Sequence, residues 1–492
     1  MKAPEPTYGA SSKDGIVSRG RLRIATASLT ATVLVGYACI SCYAALNCRG
    51  LYADASHYLL KIAEKEYFHL YDPPRRTVQV LRQAAVVFLR RETNLELFEL
   101  GQVFSLSMLA LPILLCGLCW PILPPERKSW IVFPLLGLLA GVSASSFAPI
   151  GEGALAASYL WPLFFLFLFH MDRPIFQIVF LLFCIPVLFL HEAAFTFMLI
   201  FLFVCVRKIA TASTRSERMF LSLSAILFIL IIANEIRWII DPFNAVNRDG
   251  YIIRLLQLAF VVRDGRWNLP VLTGAVALIV LAAMTMLRAE STKRIARGGA
   301  LVATLSFIAW ALFAAVLPWL SDATFSPLSQ MAGRNQALFV GSALAAAAVV
   351  ALEKKISPQI WLQPATLVVI AALACAQFSW DVAATQQWQA YIADVRARLA
   401  ASDGLISWEQ ALAWGDADRN EIWRAMGFGW TMPSLSVVLQ SKSVRSIIAA
   451  PEGTRWQPFD PSNLSDLPRI RGVDYSRYVR AMQEVKPFAQ AE

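Results

Sequence analysis

Apolar runs of roughly 17 to 25 residues recur along this chain, the length at which a helix crosses about 30 Å of hydrocarbon. They fall at about 24–46, 97–121, 130–148, 153–170, 174–190, 191–206, 219–237, 270–288, 298–319, 335–352 and 360–380. In lipid every backbone N–H and C=O must be paired within the protein, so runs of this kind have to become helices. Composition agrees: 57% of the 492 residues are hydrophobic and 16% charged, against about a quarter charged in a soluble domain. The expected fold is an all-α polytopic membrane protein with about eleven transmembrane helices.

The stretch 174–206 decides the count. His191-Glu192 lies near its middle, and two spans joined by a polar turn avoid burying two ionisable groups at mid-bilayer. Charge in the short loops tests that split. With a cytoplasmic N-terminus, one side holds Arg127, Lys128, Arg173, Arg207, Lys208, Arg215 and Arg218, and further on Arg288, Lys293, Arg294, Arg297, Lys354 and Lys355. The turns near Pro149 and His191 carry no Lys or Arg. Basic loops therefore gather on one side, as the positive-inside rule requires. Merging 174–206 would invert every later loop.

The expected organisation is a basic cytoplasmic segment 1–23, a helical membrane domain 24–380 and a small extracytoplasmic domain 381–492. The run from Ile24 is too long for a signal-peptide core and reads as a retained first span. Residues 47–96 form a long outer loop. Within it, Arg75 to Arg91 places Val78, Leu81, Ala85, Phe88 and Leu89 on one helical face and Arg76, Gln79, Gln83, Arg90 and Arg91 elsewhere. That pattern predicts an interfacial helix in the headgroup plane. Tyr58 to Leu70 predicts a second.

A net charge of +10 does not point to nucleic acid, because the basic residues sit in loops beside spans, where they set orientation and meet anionic headgroups. The eight cysteines lie in or beside apolar runs. Cys116 and Cys119 have CxxC spacing but no second Cys or His pair nearby, so they read as small apolar residues, and no metal site is expected.

On this topology Asp54, His57, Glu152, His191, Glu192, Asp241, Arg248, Asp249, Arg254, Asp264, Asp322 and Arg334 fall at outer helix ends. Acids of the inner loops each have a Lys or Arg within two residues. Asp54, Glu152 and Glu192 have none, which suggests an outward cavity lined by carboxylates. An Asp at an aqueous mouth is ionised and can take a proton from an attacking hydroxyl. An Arg such as Arg334 can hold a phosphate through paired hydrogen bonds. Each residue also has a plainer reading. Asp54 stands where an N-cap would, His191-Glu192 where a polar turn would, Glu152 at a helix start and Arg334 at a membrane boundary. His57, three residues after Asp54, shares its helical side, but two residues do not make a metal site.

The layout resembles that of polytopic glycosyltransferases of the GT-C class, in which a first span leads into a large outer loop with a catalytic acid near its start and interfacial helices after it. Here that acid is Asp54 of Leu51-Tyr52-Ala53-Asp54, with Tyr58 downstream and the amphipathic Arg75 to Arg91 stretch beyond. Gly333-Arg334-Asn335 resembles the Gly-Arg-Tyr of many bacterial members, with Asn335 in place of Tyr, and His191-Glu192 resembles a polar pair at an outer helix end. The resemblance implies transfer of a sugar, with inversion, from a polyprenyl-phosphate donor to a glycan, lipid or protein acceptor. Asp54 would serve as catalytic carboxylate, with His57, Glu152, His191, Glu192, Arg248, Arg254 and Arg334 binding substrate. It implies a bacterial inner membrane with the site facing the periplasm. Some members use a divalent metal; no DxD pair surrounds Asp54. The alternatives are a transporter or lipid flippase, which favours midplane sites and internal repeats, or a non-catalytic protein of the same architecture.

Overall fold

Most of the apolar runs become helices in the computed structural model. It describes residues 13–145, 152–241, 262–263, 266–267, 269–289, 293–320, 336–353, 363–414, 423, 426–427, 429–454 and 458–489. The helices are α1 (Lys13–Leu46), α2 (Ala55–Lys65), α3 (Arg76–Glu92), α4 (Leu97–Ile122), α5 (Val132–Gly137), α6 (Glu152–Phe169), α7 (Pro174–Cys184), α8 (Phe195–Thr211), α9 (Arg215–Ile240), α10 (Leu269–Ala289), α11 (Lys293–Leu320), α12 (Gln336–Glu353) and α13 (Pro364–Ala401). Short helices α14 (Trp408–Ala413), α15 (Met432–Gln440) and α16 (Ser476–Ala489) follow. Among the described residues seven helices are long and apolar enough to cross a membrane, and Pro174–Phe189, Leu269–Thr285 and Leu301–Val316 are shorter apolar helices. The fold is that of an all-α membrane protein. Strand is confined to an antiparallel pair, β1 (Val262–Arg263) with β2 (Arg266–Trp267), and a parallel pair, β3 (Gly404–Ile406) with β4 (Ser446–Ile448).

The chain breaks where the ionisable pair predicts. After α7 a tight turn (Ile185–Phe189) leads to His191 in extended backbone, then Glu192–Ala194 opens α8. The run 130–148 behaves differently from a simple span. Here α5 passes into a π-helical turn, Leu138–Val142, and a 3-10 turn, Ser143–Ser145. Irregular backbone at such depth is tolerated where protein surrounds it. A Cβ on Gly141 would lie 2.9 Å from Ala337 Cα, and one on Gly274 3.0 Å from Ala140 Cα, so α10 and α12 close on this turn from two sides.

Apolar side chains gain little from leaving lipid for protein, so close packing has to hold the bundle. A phenylalanine cluster does this across α6 to α9: Phe167 and Phe180 stack at 5.1 Å, and Phe201 meets Phe228 at 5.5 Å. Polar contacts mark both ends of the bundle. At one end His170 meets the Ile122 carbonyl at 2.5 Å and Lys208 Nζ donates to Phe167 O at 2.9 Å, among the basic residues Arg127, Lys128, Arg173 and Arg207. The other end carries Asn47, Asp54, Glu152 and Glu192.

At that second end the first loop and the C-terminal segment share one core. Leu59, Ile62, Phe104, Trp388, Tyr391, Val437, Ile447 and Tyr478 belong to it, and α15 packs on α2 and α4. The expected boundary at 381 falls inside a continuous helix. At 38 residues, α13 is about 57 Å long at 1.5 Å per residue, almost twice the hydrocarbon thickness. Its second half carries the chain out of the bundle and into this layer. Arg49 ties the two parts together, with Nη2 3.1 Å from Asp381 Oδ1 and Nη1 2.9 Å from Thr385 Oγ1.

Helix α3 exists as predicted, with Val78 buried and Arg76 and Arg91 exposed, but part of its polar side also faces the protein. Gln79, Arg82, Gln83 and Arg90 are buried, while Phe88 is 64% exposed. Polar groups go inside because partners await them there: Arg82 reaches Glu152, Gln83 the His69 backbone, and Arg90 the Arg471 carbonyl. In the second predicted helix, α2 ends at Lys65 and residues 66–72 run as a connector.

Candidate functional site

The turn before α2 sets the position of Asp54. Gly50 lets the turn Arg49–Leu51 lie against α4, since a Cβ there would come within 2.5 Å of Ser105 Cα. Ala53 then takes a φ of +57°, a left-handed conformation that costs roughly 1–2 kcal/mol for a residue with a Cβ. Asp54 occupies the N-cap position, yet its side chain makes no cap hydrogen bond. Instead Tyr58, one turn on, donates to Asp54 Oδ2 at 3.2 Å.

Tyr58 links the carboxylate to a charged cluster. Its ring stacks on Tyr71 with centroids 4.1 Å apart and planes 22° from parallel, and the Tyr71 hydroxyl donates to Glu152 Oε1 at 2.5 Å. Burial, with Glu152 adding to it, pushes the Tyr71 phenol well above its ordinary range, so it stays a neutral donor. Arg75 Nη1 donates to Glu152 Oε2 at 3.0 Å; its Nε donates to Glu192 Oε2 at 2.9 Å while Nη2 pairs with Glu192 Oε1. Arg82 Nη2 reaches Glu152 Oε1 at 3.0 Å. The fork on Glu192 is the bidentate geometry that Arg favours. Glu152 and Glu192 are 4% and 3% exposed. Burial works to discharge Arg75, and the two glutamates more than offset it, so its pKa lies well above the usual.

Asp72 adds a third carboxylate, its Oδ2 3.3 Å from Arg75 Nε, so two arginines face three acids, and a fourth stands beside them. Glu235, near the end of α9, is 2% exposed, neither of its oxygens has a hydrogen-bond partner, and Glu192 is its electrostatic neighbour. The amide of Gln79 on α3 is likewise buried with both ends unpartnered. His191 caps the turn Glu192–Ala194, its Nδ1 accepting from Ala193 N–H at 3.0 Å.

Outside the ion pairs, His57 and His69 meet edge to face at 5.5 Å, and His57 lies 5.6 Å from Trp430. Burial, then the neighbouring charges, lower His57 to about 3 and His69 to about 4. Both imidazoles are neutral at ordinary pH.

Of the residues singled out from sequence, Asp54, His57, Glu152, His191 and Glu192 come to one end of the bundle. Arg248, Arg254 and Arg334 lie outside the described residues, as do Gly333, Asn335, Asp249, Asp264 and Asp322. Glu152 and Glu192 do not line a cavity as unpaired acids; they are buried in ion pairs. Their partners Arg75 and Arg82 lie 70 to 117 positions away, beyond any test of sequence neighbours. Tyr71, His69, Trp430 and Glu235 carried no signal of their own; Glu235 in a long apolar helix was detectable in principle, but Arg237 two residues on makes it look paired. Among the described residues no group of three or more His, Cys, Asp or Glu is placed to hold a metal ion, and all eight cysteines are free. No protein family, curated protein or solved structure matches the chain.

Proposed function

We propose that the protein is a membrane glycosyltransferase of GT-C type, moving a sugar with inversion from a polyprenyl-phosphate donor to a glycan, lipid or protein acceptor. The observation that carries this reading is Asp54: a half-buried carboxylate at a helix start that leaves its cap unmade and is held by Tyr58 instead. A carboxylate used only for capping would bond the free N–H groups of the first turn.

In the proposed reaction Asp54 accepts the proton of an acceptor hydroxyl as that oxygen attacks the anomeric carbon. The bond from that carbon to the phosphate oxygen breaks on the opposite face, and polyprenyl phosphate leaves with the electron pair. Arg75 and Arg82 are engaged by glutamates, so the leaving phosphate falls to Arg248, Arg254 or Arg334. Gathering of basic loops at the far end of the bundle supports a site on the outer, periplasmic side of a bacterial inner membrane.

The test is Asp54→Asn in a transfer assay with lipid-linked sugar and reconstituted protein. Loss of a general base predicts a fall of about 10²–10⁴-fold in rate with normal membrane insertion. Full activity in the variant sinks the assignment. Glu235 favours a second reading, since an unpartnered acid inside a span marks a proton or ion path in many carriers. Under that reading Glu235→Gln abolishes substrate flux in proteoliposomes and Asp54→Asn does not.

A further inference from the structure

Five rings from three separate segments meet beside Asp54. Tyr58 and His57 come from α2, His69 and Tyr71 from the connector 66–72, and Trp430 from the turn Gly429–Thr431. His69 stacks on Tyr71 at 5.4 Å and 29°, Tyr71 on Tyr58 at 4.1 Å, and His57 touches both His69 and Trp430 at about 5.5 Å. His57, His69, Tyr71 and Trp430 are half-buried, so each keeps part of its surface open.

The connector is clamped. Gln83 on α3 accepts from the His69 N–H at 2.8 Å and donates to the His69 carbonyl at 3.0 Å. A side chain that holds both backbone groups of one residue fixes where that residue's ring stands, the kind of preorganisation a binding site needs.

His57 keeps hydrogen-bonding capacity in reserve. A neutral imidazole has one donor and one acceptor nitrogen, and His57 Nδ1 is buried with no partner. The surface therefore combines stacked ring faces with neutral donors and acceptors. Asp54, His57 and Tyr58 lie on one side of α2, about one 5.4 Å turn apart.

We propose that this partly exposed ring cluster is the acceptor subsite, taking a sugar ring whose apolar face lies on the aromatic surface and whose hydroxyls bond His57 and His69. The inference rests on the glycosyltransferase reading for its role and adds the acceptor's chemical class, a carbohydrate. A ligand with an apolar ring face and hydroxyl edges satisfies rings and imidazoles together. A bare lipid tail would leave the His57 nitrogen unpaired. A ring seated there presents its next hydroxyl toward Asp54, the group that takes the proton.

The experiment uses the full chain in nanodiscs and saturation-transfer NMR with methyl glycosides of glucose, galactose, mannose and arabinose at millimolar concentration. At least one glycoside is expected to bind the wild-type protein. In His69→Phe, which keeps a ring but loses its nitrogens, and in Trp430→Ala, affinity should fall about tenfold or more. Thermal unfolding of each variant identifies any that fails to fold, and His57→Gln then stands in for it. Absence of binding by all four glycosides overturns the proposal, as does binding that the folded variants leave unchanged. Retained transfer by Asp54→Asn would defeat the reaction assignment separately, while glycoside binding would still decide the ring cluster.

Discussion

Arg75 and Asp54 stand at the same end of the bundle, and their surroundings are opposites. Arg75 is enclosed with Arg82, Asp72, Glu152 and Glu192 in a cluster where two arginines are ion-paired to three carboxylates. Asp54 and its neighbours His57 and His69 are half-buried, and the Nδ1 of His57 has no hydrogen-bond partner. A closed cluster of paired charges serves to join α3, α6 and α8. An open group with spare capacity can work on something that arrives. Charge density alone would have ranked the two regions the other way.

The largest expected effect tests the closed region. Arg75→Met leaves Glu192 without its bidentate partner and Glu152 with Arg82 alone. Stripping one partner from a buried ion pair costs about 3–5 kcal/mol. Thermal or denaturant unfolding in detergent should show that loss, and adding Glu192→Gln should restore part of it, because the stranded charge is then removed. Asp54→Asn should change stability by only about 0.5 kcal/mol while removing activity. If Arg75→Met unfolds like wild type, the cluster does not hold the helices together and the contrast collapses.

A medium-sized effect tests the link between the regions. Tyr71 donates to Glu152 and stacks on Tyr58, which donates to Asp54. Tyr71→Phe keeps the stack and loses a hydrogen bond to a charged acceptor, about 1.5–3 kcal/mol. A double-mutant cycle with Glu152→Gln should give a coupling of about 0.5–3 kcal/mol, with transfer activity several-fold lower in the Tyr71 variant. Additive effects would mean that the two regions are independent.

The contrast also separates what the sequence makes legible from what it hides. Run length and the need to pair every backbone group are enough to place α1, α4, α6, α8 and α9, and the acid in an apolar run locates the break at His191. These are local properties. The buried face of α3 is not local: periodicity sets Gln83 and Arg90 apart from the apolar face, and partners on the 66–72 connector and at Arg471 bring them in. An apolar-run criterion ends α13 near residue 380, whereas the helix continues to Ala401 because Trp388, Tyr391 and Val395 find a core beyond the bundle. Asp54 was visible through its position after the first span. Its ring neighbours were not, since Trp430 reaches His57 from more than 370 positions away.

The smallest expected effect is a pH slope from the open region. His57 and His69 titrate near 3 and 4 in the folded chain, below their ordinary 6.5. As pH falls below about 6.5, the unfolded chain binds protons that the folded chain refuses. Stability therefore rises with pH across that window. It is complete above about 6.5 and is lost as pH drops toward the folded values. The double variant His57→Gln, His69→Gln should flatten this slope, narrowing by a few degrees the difference in melting temperature between pH 7 and pH 5. Arg75 is held well above its usual range, so its substitution should lower stability at both pH values without changing the slope. A slope that followed Arg75 in place of the histidines would mean that the proton-sensitive groups sit in the cluster, and that the half-buried imidazoles are not held neutral by their surroundings.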